Sequence, residues 1–503
     1  MPSDLRLHPL SVFFILTRQV SGLLIPLLLV LIGAGSSGFG WELFGLLSLI
    51  PTVLVSVGRY LTFRYRYEPT EMVIRSGFLF RSERHVPYAR IQNVEAVQNP
   101  LHRLLNVVEV RVQTGGADEP EATMTVVPMA ALEEMRRRVA EGRQDRHADG
   151  AAPAREAAQQ GALAVVLRLP VRELLLSGFI ENRGFIVVGA AAGLLWELNL
   201  GPRLVNWVVG EEVSGRGAVR NAIWSLFEGA WRPMTLLWLA AGVVAFLLLT
   251  RVFSMGWAAI RLNGFTVSRE NQDLRMAFGL LTRMTTTIPM RRIQQITIRE
   301  TPLHRLFRRA SVRVATAGGI GKETTLRQRE WLAPIIRSTE VAGLLRELLP
   351  GVDAAAFDWQ PVHPRAFRRV IKVSLLGAVL VALGTSGLLR WWNLWLSPLY
   401  LAAAIVHARM RVASLAWAKT DRAVAFRRGA FWRYVTIARF SKIQAVSTRE
   451  SPFDRRTGMA VLAVDTAGAS ATYQVTIPYL DVALAKALSA ELAETAGRTT
   501  FRW

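Results

Sequence analysis

One short stretch, RRIQQITIRETPLHRLFRR, places Arg291, Arg292, Arg308 and Arg309 around a lone histidine, His304. Basic residues held near a membrane surface attract anionic lipid head groups, each by about 1 kcal/mol. The four arginines are therefore candidate lipid- or partner-binding residues. The alternative is a solvated basic surface that only sets topology. The repeat unit around them, residues 260–348, carries net +9, against zero for 65–139 and +5 for 416–492. His304 has an equivalent in His102, but none of the seven histidines forms an HxxxH or HxH pair. Both read as polar tips on short turns, not as metal ligands or catalytic bases. The segment GGIGKETT, 318–325, has the look of a phosphate loop. It fails the spacing, because Glu323 follows Lys322 where Ser or Thr is needed. With no cysteine in the chain, a thiolate nucleophile and thiolate metal site are excluded. No catalytic residue, metal or cofactor is expected.

These residues need elements to position them, and composition points to a membrane. The 503 residues carry net charge +23, yet 51% are hydrophobic. Six apolar runs come in three pairs: 20–40 with 43–57, 184–200 with 234–250, and 373–389 with 391–406. Most hold about 15–17 largely apolar residues, the low end of what crosses a bilayer. Trp41, Trp196, Trp231, Trp391 and Trp392 stand at or near run ends, as an aromatic belt would. Arginine and lysine flank the pairs on one side, so the positive-inside rule puts both termini and the long polar segments in the cytoplasm. The 201–231 connection, with three arginines and three glutamates, breaks that pattern. Membrane tethering and a lack of interleaved aromatics argue against nucleic acid.

The polar segments are three copies of one unit. Arg90, Arg292 and Lys442 each precede a proline by ten positions: Pro100, Pro302 and Pro452. Gly77, Gly279 and Gly429 lie thirteen before the basic residue. Thr114, Thr316 and Thr466 lie fourteen after the proline, and Gly116, Gly318 and Gly468 sixteen after it. Fixed offsets of this kind signal an internal repeat. Each copy alternates apolar and polar residues as strands do and closes with an amphipathic helical pattern. The first glycine marks a turn that needs positive φ.

The RIQ…PLHRLL…V.V.TGG signature, repeated after apolar pairs, resembles the bacterial pleckstrin-homology (PH) polytopic membrane proteins of the YdbT type. The likeness covers nearly the whole chain. It implies an α+β membrane protein in which three transmembrane helical hairpins alternate with three PH-like β-sandwich domains, each closed by a C-terminal helix. The expected divisions are a first segment and hairpin (1–60), domain 1 (61–140), a linker and amphipathic helix (141–182), a second hairpin (183–255), domain 2 (256–350), a connector and third hairpin (351–411) and domain 3 (412–496). Within these, 141–162 reads as a flexible linker and 357–367 as a rigid connector. The third copy departs most, with Lys442, Phe453 and Asp454 where the others have arginine, leucine and histidine.

The resemblance implies a non-enzymatic scaffold in the cell membrane, acting in envelope maintenance or stress response. Its cytoplasmic domains would bind membrane lipids, anionic head groups among them, peptide segments of partners, or one another. A smaller single-PH membrane protein is the implied companion. The alternative is a transporter or lipid-moving protein, which ionisable groups within the runs would favour; Glu42 and Glu197, near run ends, are the few offered.

Overall fold

The computed structural model describes residues 60–77, 81–88, 91–114, 122–148, 164–182, 233–270, 273–316, 331–353, 356–389, 392–466 and 475–498, with Leu5–Arg6 and a few isolated positions. Apart from isolated positions, the apolar runs 20–40, 43–57 and 184–200 lie outside the described residues, as do the 201–231 connection, the 318–325 segment, and Gly116, Gly318 and Gly468.

In the first copy, β1 (Leu5–Arg6), β2 (Arg64–Tyr67), β3 (Glu71–Ser76) and β4 (Ser82–Pro87) form an antiparallel sheet. A second layer holds β5 (Ile91–Gln98), the short helix α1 (Pro100–Leu104), β6 (Val107–Thr114) and β7 (Ala122–Pro128), and α2 (Met129–Ala148) follows. One core joins these parts: Met72 and Ile74 from β3, Val110 and Val112 from β6, and Leu132 and Met135 from α2. Burying each such side chain contributes about 1.5–3 kcal/mol.

The second copy contains β8 (Ala164–Arg168), α3 (Val171–Glu181), α4 (Pro233–Arg261), β9 (Thr266–Glu270), β10 (Asp273–Phe278), β11 (Arg283–Pro289), β12 (Ile293–Glu300), α5 (Pro302–Leu306), β13 (Arg309–Thr316), β14 (Trp331–Arg337) and α6 (Val341–Leu348). The third contains β15 (Gln360–Pro361), α7 (Ala366–Leu389), α8 (Trp392–Ala413), β16 (Ala416–Lys419), β17 (Ala423–Arg428), β18 (Arg433–Arg439), β19 (Ile443–Arg449), α9 (Pro452–Thr457), β20 (Met459–Thr466), β21 (Val475–Asp481) and α10 (Val482–Arg498). Its core repeats the plan, with Phe426 from β17, Leu462 from β20, Ile477 from β21 and Leu488 from α10.

The repeat offsets have local causes. Gly77, Gly279 and Gly429 all take positive φ, at 114°, 110° and 90°. Each proline after the strand is the first residue of a short helix, where its missing N–H costs nothing and its fixed φ suits the turn.

Two segments differ from expectation. The closing helix α2 runs to Ala148, into the stretch read as flexible linker, and β8 precedes α3 as the outer strand beside β9. The 357–367 connector likewise holds β15, which pairs with β16 through Gln360↔Trp417 and Pro361↔Ala416. With β1 on β2, each copy has a strand lying before its apolar pair. Two or five residues long and far in sequence from their partners, these strands carry too little alternation to detect.

The chain divides into two compact units. The smaller, 168–266 with 278–281, packs α3 on α4. A Cβ on Gly178 would lie 2.5 Å from the Ser254 carbonyl oxygen, so glycine permits the close approach. Ser254 Oγ donates to the Gly178 carbonyl at 2.7 Å, and the Arg251 guanidinium sits 5.1 Å above the Phe179 ring. Within α4, Ala240–Arg261 is long and apolar enough to span a bilayer, the one helix that qualifies among the described residues.

In the larger unit, α7 and α8 form an antiparallel hairpin. Ser374 Oγ meets His407 Nδ1 at 2.9 Å and, further along, Thr385 Oγ1 meets Tyr400 Oη at 3.2 Å. Leu376, Leu380, Leu383, Trp395, Leu399 and Val406 are exposed along it.

The copies of the larger unit are sewn together strand to strand. β11 pairs antiparallel with β5, beginning Arg283↔Gln98. β18 pairs with β12, ending Glu300↔Arg433. Two seven-stranded sheets result, each shared by neighbouring copies.

Candidate functional site

The four candidate arginines do not form one site. Arg291 and Arg292 sit in the 3-10 turn before β12. Arg308 and Arg309 follow α5, beyond the other end of that eight-residue strand. At about 3.3 Å per residue, roughly 25 Å separates the pairs, well beyond a Debye length at physiological salt.

At the first end, domain 3 contributes more positive charge. Burial pushes the Lys442 ammonium below its ordinary pKa, and Arg439, Arg291 and Arg292 push the same way. Burial also lowers Arg439, which donates to the Leu348 carbonyl at 2.7 Å.

The second end is an apolar rim with cations set into it. Arg305 Nη2 donates to the Ala430 and Phe431 carbonyls at 3.1 and 3.0 Å, holding α5 to the β17–β18 turn. Leu306 is 73% exposed, Trp432 56% and Phe453 60%. The hairpin α7–α8 leaves domain 3 at this same end. Arg365 Nη1 donates to the Thr457 carbonyl at 3.2 Å, and the Arg369 guanidinium lies 4.7 Å over the Phe453 ring. β16 begins just after α8, and Ala416 opposes Arg427, so the 429–432 turn lies beside the end of α8.

Arg308 itself has an unusual backbone, φ 52°. The residues at its repeat position are Asn106, φ 52°, and Gly458, φ 68°. Asparagine and glycine enter this left-handed region readily, whereas other side chains pay about 1–2 kcal/mol. Arginine is kept where a better backbone residue was available.

The histidines are structural. Asn99 N–H donates to His102 Nδ1 at 3.3 Å. Thr301 Oγ1 meets His304 Nδ1 at 2.8 Å, while His304 N–H donates back to Thr301 Oγ1 at 3.3 Å. In the third copy Ser451 and Asp454 make the same box: Ser451 N–H donates to Asp454 Oδ2 at 3.1 Å and Asp454 N–H to Ser451 Oγ at 3.2 Å. Histidine and aspartate are thus interchangeable acceptors in a capping box. The expected polar tip is buried instead: His102, His304 and Asp454 are 2%, 1% and 7% exposed.

Burial, with the nearby Arg299 charge, pushes the His304 imidazole down to about 4. The unfolded chain takes up that proton near pH 6.5, so the unfolded state binds more protons between the two values. The stabilisation is complete above about pH 6.5 and is lost as pH falls toward 4, by up to about 3 kcal/mol. Urea midpoints measured from pH 7 to pH 4.5 should fall in the wild type and fall much less in His304→Asp. Equal slopes would remove His304 as the cause.

Among the described residues no His, Asp and Glu cluster is fit for a metal. The bacterial PH domain family matches the chain three times, at residues 12–143, 228–351 and 360–496. The chain belongs to the bacterial PH domain family. Each match begins before or within an apolar segment and runs through the sandwich that follows, so one PH unit includes both. The chain is also similar to the UPF0699 transmembrane protein YdbT of Bacillus subtilis (strain 168), 21% identical over 432 residues, 83% of each chain. No solved structure matches it.

Proposed function

We propose that the chain is a non-catalytic, multi-pass protein of the cell membrane whose three PH domains form a strand-linked scaffold on the cytoplasmic face, in envelope maintenance or stress response. The apolar rim lies against the bilayer and the cations beside it take anionic head groups. The observation that carries this reading is the rim at the end of domain 3 where α7–α8 departs. If that hairpin enters the bilayer, Leu306, Trp432 and Phe453 meet the interface, where large apolar and aromatic side chains are favoured. Arg308 and Arg309 then lie close enough to feel anionic lipid, while Arg291 and Arg292 do not. The strained backbone at Arg308 supports a role for its side chain. The transmembrane description of the YdbT relative agrees with embedding.

The test separates the two arginine pairs. In nanodiscs of mixed anionic and neutral lipid, Arg308→Asn with Arg309→Gln should weaken anionic-lipid binding roughly thirtyfold, at about 1 kcal/mol for each charge removed. Arg291→Gln with Arg292→Gln should change it little. Arg308→Asn keeps the residue found in the first copy, so folding should survive. Equal effects from both pairs would defeat the rim assignment.

A further inference from the structure

Among the β4- and β5-type strands of the three copies, two edges lack a neighbour in the described residues. Among the described residues β4 pairs only with β3, and β19 only with β20. They are the two ends of one pattern. β11 and β18 are the β4 equivalents of domains 2 and 3, and each adds to the β5 equivalent of the domain before it. Among the described residues no strand is added to β4, nor to the β5 equivalent of domain 3, β19.

The joints obey one register. In both, the residue four after the turn glycine faces the residue two before the proline: Arg283↔Gln98 and Arg433↔Glu300. Arg433 Nη1 and Glu300 Oε2 are 3.6 Å apart there. Three residues further in, side chains meet across each joint: Thr286 Oγ1 donates to Glu95 Oε1 at 3.5 Å, and the Thr297 and Thr436 hydroxyls are 3.3 Å apart. Carried to the free edges, the same rule brings Arg81 to Glu450 and Arg84 to Ser447. The end pair repeats the arginine–glutamate match of the second joint, and Arg455 stands where Arg305 clasps the next domain's turn.

Burial marks the vacancy. Ile293 to Ile298 of β12 are all buried. In β19 only Ile443 is buried, and Gln444, Ala445, Ser447, Thr448 and Arg449 are exposed. A groove of about 490 Å³ lies along β19, lined by Ile443, Ala445, Val446, Ala493 and Ala496.

We propose that β19 receives β4 of a second copy of this chain, antiparallel, with Arg81 opposite Glu450. The added strand completes main-chain hydrogen bonds along an open edge, the usual mode of strand addition. The contact is head to tail, so copies continue into a ring or an open row. It requires no lipid.

The absence of cysteine makes the test clean. Arg84→Cys protein and Ser447→Cys protein are purified separately, reconstituted together in vesicles and oxidised. A covalent dimer should form in the mixture and in neither sample alone, because opposed residues in antiparallel strands have Cα atoms about 4.5–5.5 Å apart, within disulfide reach. Thr297→Cys with Thr436→Cys in one chain is the positive control, since that joint exists already. Adding Glu450→Arg to the Ser447→Cys protein should cut the yield roughly fivefold, as loss of a surface ion pair of about 1 kcal/mol would. Arg81→Glu on the other partner should restore it. No mixed dimer while the control closes would overturn the proposal, as would a Ser447→Cys adduct to a different protein alone.

Discussion

Gly429→Val is expected to unfold domain 3 or leave it at least about 3 kcal/mol less stable, seen as early proteolysis after residue 411 and a lower denaturation midpoint. Two costs combine. At φ 90° a β-branched residue is strained by about 1–3 kcal/mol. A Cβ there would also lie 1.9 Å from the Trp432 carbonyl oxygen, a backbone atom that cannot move without breaking the start of β18. That strand carries the joint to domain 2, and Arg305 grips the same turn through the Ala430 and Phe431 carbonyls. The damage should therefore reach β12, with faster amide exchange over Gln295–Glu300. A Gly429→Val protein with wild-type midpoint and exchange would show that the turn does not need glycine.

The repeat was legible because its glycines and prolines answer to backbone rules that act within a few residues. Positive φ after β3, β10 and β17 and a proline at the start of α1, α5 and α9 leave fixed offsets whatever surrounds them. The histidine role was not legible, because a capping box is ordinarily written with Glu or Gln at that place; Asp454 in the third copy was the available clue. The split of the arginines was hidden for another reason. Arg292 and Arg308 are near in sequence, but a strand lies between them, and a strand turns sequence proximity into distance. The joints were hidden most fully. IQQITI and IQAVST alternate in the same way, and alternation reports which face is buried, not whether an edge has a neighbour. The short strands β1, β8 and β15 were missed as well. A proline soon after each, Pro9, Pro170 and Pro364, is a faint fifth repeat signal.

The contrast between the paired and open edges gives a second large effect. Ile296→Asp should cost at least about 4 kcal/mol, because Ile296 has no exposed surface and its strand is bonded on both sides, to β13 and to β18. The substitution removes a packed side chain, worth about 2–5 kcal/mol on large-to-small changes, and buries a carboxylate facing no opposite charge designed for it. Ser447→Asp, one residue along in the β19 equivalent, should shift the chain's own stability by less than about 0.5 kcal/mol, since the site is exposed. Its effect should appear only between chains. A carboxylate at 447 opposite Arg84 of a second copy is attractive, so Ser447→Lys, equally harmless to the single chain, is the variant that should weaken assembly. Denaturation midpoints report the first difference and mass photometry of nanodisc-embedded protein the second. If Ser447→Asp destabilises the isolated chain as much as Ile296→Asp does, the edge of β19 is already covered and both expectations fail together.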